Sequence, residues 1–282
     1  MLTGQGRSYR RGMILVTGAT GRVGGEVVRQ LTAAGVPGVR ALARDGGRAR
    51  LPVPVAEGDL AVPGSLDAAL EGVGKVFLVW PTLRADHAAP ETIKRLAGRH
   101  VVYFSSAAAG AADPINASHA EIERLIREHA SAWTFLRITG LAANDLKWAD
   151  GIRRDGVVRE PSAGWARSHI HEADVAAAAV RVLTGEGHDG TAHVLTGPQA
   201  LTAPERVAVL SEVLGRELRF EQPSPEEVRE QYTAVFGAEV AEGLVARMTG
   251  PAPEPEPVTA TVEELTGRPA RTYRDWAADH WR

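Results

Sequence analysis

Val16-Thr17-Gly18-Ala19-Thr20-Gly21-Arg22-Val23-Gly24 lies between a run that reads as a strand, Met13 to Thr17, and one that reads as a helix, Arg22 to Ala34. In the second run Val23, Val27, Val28 and Leu31 recur on one helical face, and Gly35 and Pro37 stop it. The glycines between the two are spaced G-x-x-G-x-x-G. Gly18 takes the turn out of the strand, Gly21 lets backbone approach a pyrophosphate, and Gly24 lets the helix pack closely on the sheet. The helix start then presents N–H groups and a partial positive charge to the phosphates, which makes Gly18, Thr20, Gly21, Arg22 and Val23 the candidate contacts.

The same alternation of short β-rich runs and helical stretches continues through the first two-thirds of the chain. Further strands are expected at Val39 to Ala43, Val53 to Glu57, Val76 to Trp80, Val101 to Ser105, Thr134 to Arg137 and Ala192 to Leu195. Their continuous apolar character suits a parallel sheet covered on both faces. The fold class expected is therefore α/β, a Rossmann-type doubly wound parallel sheet of about seven strands, with a small, mostly helical C-terminal lobe for substrate. Residues 1–12 are read as an N-terminal extension, 13–200 as the nucleotide-binding domain with a substrate-lobe insertion at about 140–170, and 201–282 as the C-terminal lobe.

In that lobe Thr202 with Glu205, and Ser224 with Glu227, have the spacing of capping boxes. Pro251 to Pro257 reads as an extended strap, and Thr272 to Arg282 as a short aromatic helix docking by its apolar face. Asp174 is expected to cap a helix running Val175 to Leu183.

The second strand ends at Arg44, twenty residues past Gly24. A carboxylate there would accept from a ribose hydroxyl, whereas arginine suits a 2′-phosphate, on which Arg22 in the turn can also close, so the expected cofactor is NADP(H), although the neighbouring Asp45 keeps a ribose contact open. Past the third strand, Asp59 is placed to accept from the adenine amino group while Leu60 packs on the ring.

Lys and Arg number 32 against 35 Asp and Glu, a net charge of −3 that argues against nucleic acid as partner. Absence of cysteine excludes disulfides, thiolate metal sites and a cysteine nucleophile. His169 and His171 form H-x-H without a third ligand at suitable spacing, so no metal is expected. No apolar stretch approaches the roughly 18 to 20 residues that cross a bilayer. No signal-peptide run opens the chain, so no membrane association and a cytoplasmic location are expected.

Together V-T-G-A-T-G-R-V-G, A-L-A-R at Ala41 to Arg44, G-D-L at Gly58 to Leu60, W-T-F-L-R at Trp133 to Arg137, H-E-A-D-V-A at His171 to Ala176, L-T-G-P at Leu195 to Pro198 and E-E-L-T-G-R at Glu263 to Arg268 resemble the NmrA-like, atypical short-chain dehydrogenases. The resemblance implies an NAD(P)H-dependent oxidoreductase of the quinone, azo or ketone reductase kind, or a sensor that binds the dinucleotide without turnover and acts on a protein partner. It also implies cofactor contacts at Trp80, Ser105 and Thr139.

Ordinary short-chain dehydrogenases protonate the carbonyl with Tyr from a Tyr-x-x-x-Lys pair beside a Ser. Here Ser105 and Ser106 stand at the serine's place, but His119 and Glu123 occupy those of Tyr and Lys. Three readings compete: His119 donates the proton or binds the nicotinamide ribose, Ser105 orients the substrate oxygen, or no side chain is the acid and water or a substrate hydroxyl serves. The segments leaving the strand ends carry the substrate candidates Trp80, Ser106, Asn144, Trp148 and Trp165, with Asp145 as a second polar group at the mouth, an apolar lining fit for a flat ring system. The reading is hydride transfer from NADPH to a ketone or quinone of a hydrophobic substrate. The Ala-, Gly- and Arg-rich composition points, by association, to a secondary-metabolite (polyketide-type) ketone of antibiotic biosynthesis.

Overall fold

A computed structural model describes residues 12–81, 85–109 and 114–281 of the 282. The extension read at residues 1–12 lies, apart from Gly12, outside the described residues, as do 82–84 and 110–113 of the candidate substrate segments.

Seven strands form one sheet: β1 (Met13–Val16), β2 (Val39–Ala43), β3 (Val55–Glu57), β4 (Val73–Leu78), β5 (His100–Ser106), β6 (Ala132–Ile138) and β8 (Thr191–Leu195), in the order β3-β2-β1-β4-β5-β6-β8. The pairs from β3 through β5 are parallel. The order reverses direction between β1 and β4, where a doubly wound sheet opens to a ligand. Several expected strands change extent, β3 and β4 among them. β3 starts at Val55 rather than Val53 because Pro52 and Pro54 carry no N–H for the ladder. β4 starts three residues early and stops at Leu78, since Val79 is bonded through both its N–H and its carbonyl to the Thr17 hydroxyl.

The chain forms two compact units. Unit 1 comprises Met1–Ser105, Ser118–Leu136 and Ala179–Ala192. Its helix α1 (Arg22–Ala33) buries Val23, Val27, Val28 and Leu31, the stripe the sequence displays. Leu15, Val76, Leu78, Val101 and Tyr103 meet Ile93 of α2 (Ala89–Arg95) and Ile122, Leu125 and Ile126 of α3 (Pro114–His129) in one apolar cluster.

Unit 2 comprises Ser106–Ala117, Arg137–Ala178 and His193–Arg282. Helices α4 (Ala149–Asp155), α6 (Ala203–Leu214) and α9 (Tyr273–His280) pack Ile152, Val207, Leu210, Tyr273 and Trp276 into its core. The capping boxes at Thr202 and at Ser224, which opens α7 (Pro225–Phe236), are formed, and Thr272 with Asp275 makes a third. The stretch read as mostly helical also contains β9 (Arg219–Glu221), which pairs in parallel with β7 (Val157–Arg159). Asp174 does not cap its helix. Helix α5 (Glu172–Thr184) begins two residues earlier, and the Asp174 carboxylate receives the Arg271 backbone N–H at 2.7 Å and its guanidinium. Among the described residues, no helix is long and apolar enough to cross a membrane.

Candidate functional site

The glycine-rich turn of unit 1 has the geometry its spacing predicts. Gly18 has φ +60°, a left-handed conformation that strains any side chain, and a Cβ there would meet Val79 Cβ at 2.9 Å. Gly21 N–H closes the turn on the Gly18 carbonyl at 2.9 Å. A Cβ on Gly24 would fall 2.6 Å from Gly18 C and 2.8 Å from Thr17 O, so helix and turn touch at a distance only glycine permits. Gly21 caps α1 with no side-chain hydrogen bond, and no acidic residue stands in the first turn. The helix start is thus left positive, with Thr20 and Arg22 exposed beside it and Val23 turned into the core. This cradle fits a pyrophosphate.

Arg44 is exposed at the end of β2 and has no carboxylate partner among the described residues. Its competitor Asp45 accepts from Arg48 N–H at 3.1 Å and pairs with the Arg48 guanidinium at 3.4 Å, so that carboxylate is held within its own turn beside two cations. Asp59 is half-buried; its Oδ1 accepts from Ala61 N–H at 2.9 Å and its N–H donates to Ser65 Oγ. Leu60 and Trp80, 6% and 8% exposed, belong to the unit's core cluster. Leu60 is therefore held mainly by protein, not set aside to cover a ring.

At the end of β5 each expected catalytic group is tied to a neighbouring side chain. Ser105, 2% exposed, donates to Glu123 Oε1 at 2.8 Å, and Glu123 Oε2 pairs with Arg127 at 3.1 Å. Because its proton is given to Glu123, Ser105 offers lone pairs and not a donor, the reverse of orienting a substrate carbonyl. His119 Nδ1 lies 2.8 Å from the Tyr103 hydroxyl, a partner the sequence reading passes over as part of an apolar strand. Tyr103 is buried, and that burial, with the Glu123 charge behind it, pushes its phenol well above the ordinary value.

In unit 2, Ser106 donates to Asn116 Oδ1 at 2.6 Å and accepts from Ala108 N–H at 3.1 Å. Thr139 follows β6 directly, its hydroxyl donating to the Ser168 carbonyl at 2.9 Å, while its own carbonyl accepts from Arg167. Asn144 is exposed. Asp145 is not at a mouth: it is 2% exposed, paired with the buried Arg206 and receiving the Tyr273 hydroxyl at 2.8 Å. Its burial raises its pKa despite those partners. Trp148 is 4% exposed in the same core, with the Arg206 guanidinium over its ring, which makes it a core side chain rather than a wall. Trp165 is half-buried beneath the Arg167 guanidinium, 4.5 Å from its ring centroid, and lines a cavity of about 90 Å³ with Gln222 and Met248. His169 is buried against Gly140 and held well below its ordinary pKa by that burial and by Arg206. Among the described residues, no cluster of three or more metal-ligating side chains is present.

A parallel sheet with its direction reversal beside β1, a strained glycine turn and an uncapped helix start define a Rossmann-type nucleotide-binding protein. The chain belongs to the NmrA-like family, whose model matches residues 10–258. It is 42% identical over 280 residues to a (4-alkanoyl-5-oxo-2,5-dihydrofuran-3-yl)methyl phosphate reductase of Streptomyces griseus subsp. griseus, covering 95% of this chain and 98% of that one. An NAD(P)H azoreductase of Xenophilus azovorans is 36% identical over the same shares of the two chains. Among solved structures, a Citrobacter sp. triphenylmethane reductase complexed with NADP(H) superposes with a TM-score of 0.75 at 26% identity, covering 95% of this chain and 99% of that one.

Proposed function

We propose that the chain is an NADPH-dependent reductase that delivers hydride to a ketone or quinone carbonyl of a flat, hydrophobic substrate, a secondary-metabolite (polyketide-type) ketone foremost. The observation that carries this reading is the set of bonds at the end of β5, where a Ser105–Glu123 pair and a Tyr103–His119 pair stand in place of a tyrosine and lysine. The named relatives support its general form. They are reductases of a phosphorylated, alkanoyl- and oxo-substituted dihydrofuran, of azo compounds and of triphenylmethane dyes, and NAD(P)H or NADP(H) is named with two of them.

Gly18, Thr20, Gly21 and Val23 would hold a pyrophosphate at the N-terminus of α1, Arg44 with Arg22 the 2′-phosphate and Asp59 the adenine. A bound NADPH would supply the hydride. Ser105, its proton engaged by Glu123, accepts a hydrogen bond from an amide or hydroxyl. His119 donates to the oxygen on which charge develops, and the proton that completes the reduction is drawn from solvent. A conjugated acceptor spreads the arriving charge over its own ring and carbonyl, so such a substrate demands less of a protein acid than an isolated ketone does.

The test is NADPH oxidation against quinones, polycyclic aromatic ketones and simple aliphatic ketones, with Arg44→Asp in parallel. Turnover of conjugated acceptors that fails with NADPH in the variant supports the reading. Tight NADPH binding without turnover of any compound would move the assignment to a dinucleotide sensor.

A further inference from the structure

Tyr103 stands two residues before Ser105 on β5, and the two-residue period of a strand puts both side chains on one face, toward α3. Each meets a polar residue of that helix, Ser105 meeting Glu123 at 2.8 Å and Tyr103 meeting His119 at 2.8 Å, with His119 and Glu123 one turn apart. The Tyr103 ring is fixed on both sides. It stands edge-on to Phe135 with centroids 6.3 Å apart and lies 5.9 Å from the His119 ring at a 40° tilt.

A phenol and an imidazole nitrogen can share a hydrogen bond in either direction, and the surroundings choose between them here. Tyr103 is 1% exposed within an apolar cluster, and among the described residues the His119 nitrogen is the partner of its hydroxyl. Were Nδ1 to carry the proton, the phenol hydrogen would be buried without an acceptor, which is the costlier arrangement. Burial and the Glu123 charge also keep the phenol protonated, so it remains a donor. Nδ1 therefore accepts, and a neutral imidazole so bound carries its proton on Nε2.

We propose that Tyr103 is a positioning residue that fixes His119 in the Nε2–H tautomer and in one ring orientation, so that His119 meets an acceptor oxygen as a hydrogen-bond donor. The catalytic consequence rests on the reductase reading above; the tautomer does not. With Tyr103 in place, the tyrosine absent from the helix is replaced by a strand tyrosine acting through a histidine.

The test uses the full chain labelled with nitrogen-15, with and without NADPH, and reads the side-chain nitrogen shifts of the histidines at neutral pH, His119→Gln serving only to assign its signals. The expected wild-type result is a pyridine-like Nδ1 and a pyrrole-like Nε2 at His119. In Tyr103→Phe, which keeps the ring and removes only the hydroxyl, His119 becomes a mixture of tautomers and kcat falls about tenfold with the KM for NADPH unchanged. A wild-type His119 protonated on Nδ1, a tautomer untouched by Tyr103→Phe, or an effect confined to KM overturns the proposal. If the variant fails to fold, the wild-type spectrum still decides the tautomer. A tautomer that shifts as expected in a protein that oxidises NADPH with no acceptor overturns the reductase reading while upholding the hold of Tyr103 on His119.

Discussion

Replacing Gly24 by alanine adds one methyl group at the closest approach between α1 and the turn after β1. That methyl would sit 2.6 Å from Gly18 C and 2.8 Å from Thr17 O, with the Gly18 carbonyl oxygen closer still. All three are backbone atoms, so no side chain can rotate away. The turn is held in place as well, because Thr17 is pinned to Val79 through its hydroxyl and Gly21 N–H closes on the Gly18 carbonyl. The helix must move outward, disturbing the contacts of Val23, Val27, Val28 and Leu31. Overpacking of this kind costs about 1–3 kcal/mol, or roughly 2–12 °C in Tm at about 2–4 °C per kcal/mol for a domain of this size. Shifting the helix start off the pyrophosphate costs about 1–2 kcal/mol of binding, roughly a 5- to 30-fold weaker Kd for NADPH. Differential scanning fluorimetry and fluorescence titration with NADPH measure the two effects. Gly243→Ala is the control: it lies within α8 (Ala238–Thr249) with nothing within 4 Å of its Cβ position, and should leave NADPH binding untouched while stabilising the protein by up to about 1 kcal/mol. A Gly24→Ala protein with the parent's Tm and the parent's Kd would refute the close-packing argument.

Three further outcomes follow from the same contacts. Arg44→Asp should weaken NADPH about 10- to 100-fold and NADH far less, as a charged hydrogen-bonding partner is lost only from the phosphorylated cofactor; equal losses for both, by titration, would place Arg44 away from the 2′-phosphate. Asp145→Ala leaves Arg206 buried and unpaired and should cost about 3–5 kcal/mol in denaturant unfolding, most of it recovered when Arg206→Met is added; a double variant no better than the single would sink the argument. Burial, with Lys75 beside it, holds His100 down at about 4, against an ordinary value of 6.5. The unfolded chain therefore takes up this proton first, and the contribution of His100 is present above pH 6.5 and lost as pH falls toward 4, by about 3 kcal/mol in full. His100→Gln should flatten the fall in stability across that window, and unchanged slopes in the two proteins would contradict it.

The nucleotide half was open to reading because its signals are local. Gly18, Gly21 and Gly24 recur at every third position, and the Val23–Leu31 stripe lies within about two and a half helical turns. What escaped depends on partners far apart in the chain. Asp145 looks like a polar residue at a mouth until Arg206 and Tyr273, 61 and 128 residues later, close around it. Strands β7 and β9 are three residues each, too short for a period of two to stand out from noise. Tyr103 was hidden by its apolar neighbours in Val-Val-Tyr-Phe, although its spacing of two from Ser105 was the available clue. The direction of the Ser105 hydrogen bond, too, needed the position of Glu123, eighteen residues away.

The central claim is that hydride passes from NADPH to a conjugated carbonyl at a site without a tyrosine–lysine pair. The most direct measurement incubates the protein with stereospecifically deuterated NADPH and a quinone or polycyclic aromatic ketone, and locates deuterium in the products by mass spectrometry. The account predicts deuterium carried from one face of the nicotinamide, directly into the product of a ketone or by matched NADPH consumption for a quinone whose product exchanges with water. NADPH bound tightly and recovered with its label intact, across the whole panel of acceptors, would contradict it.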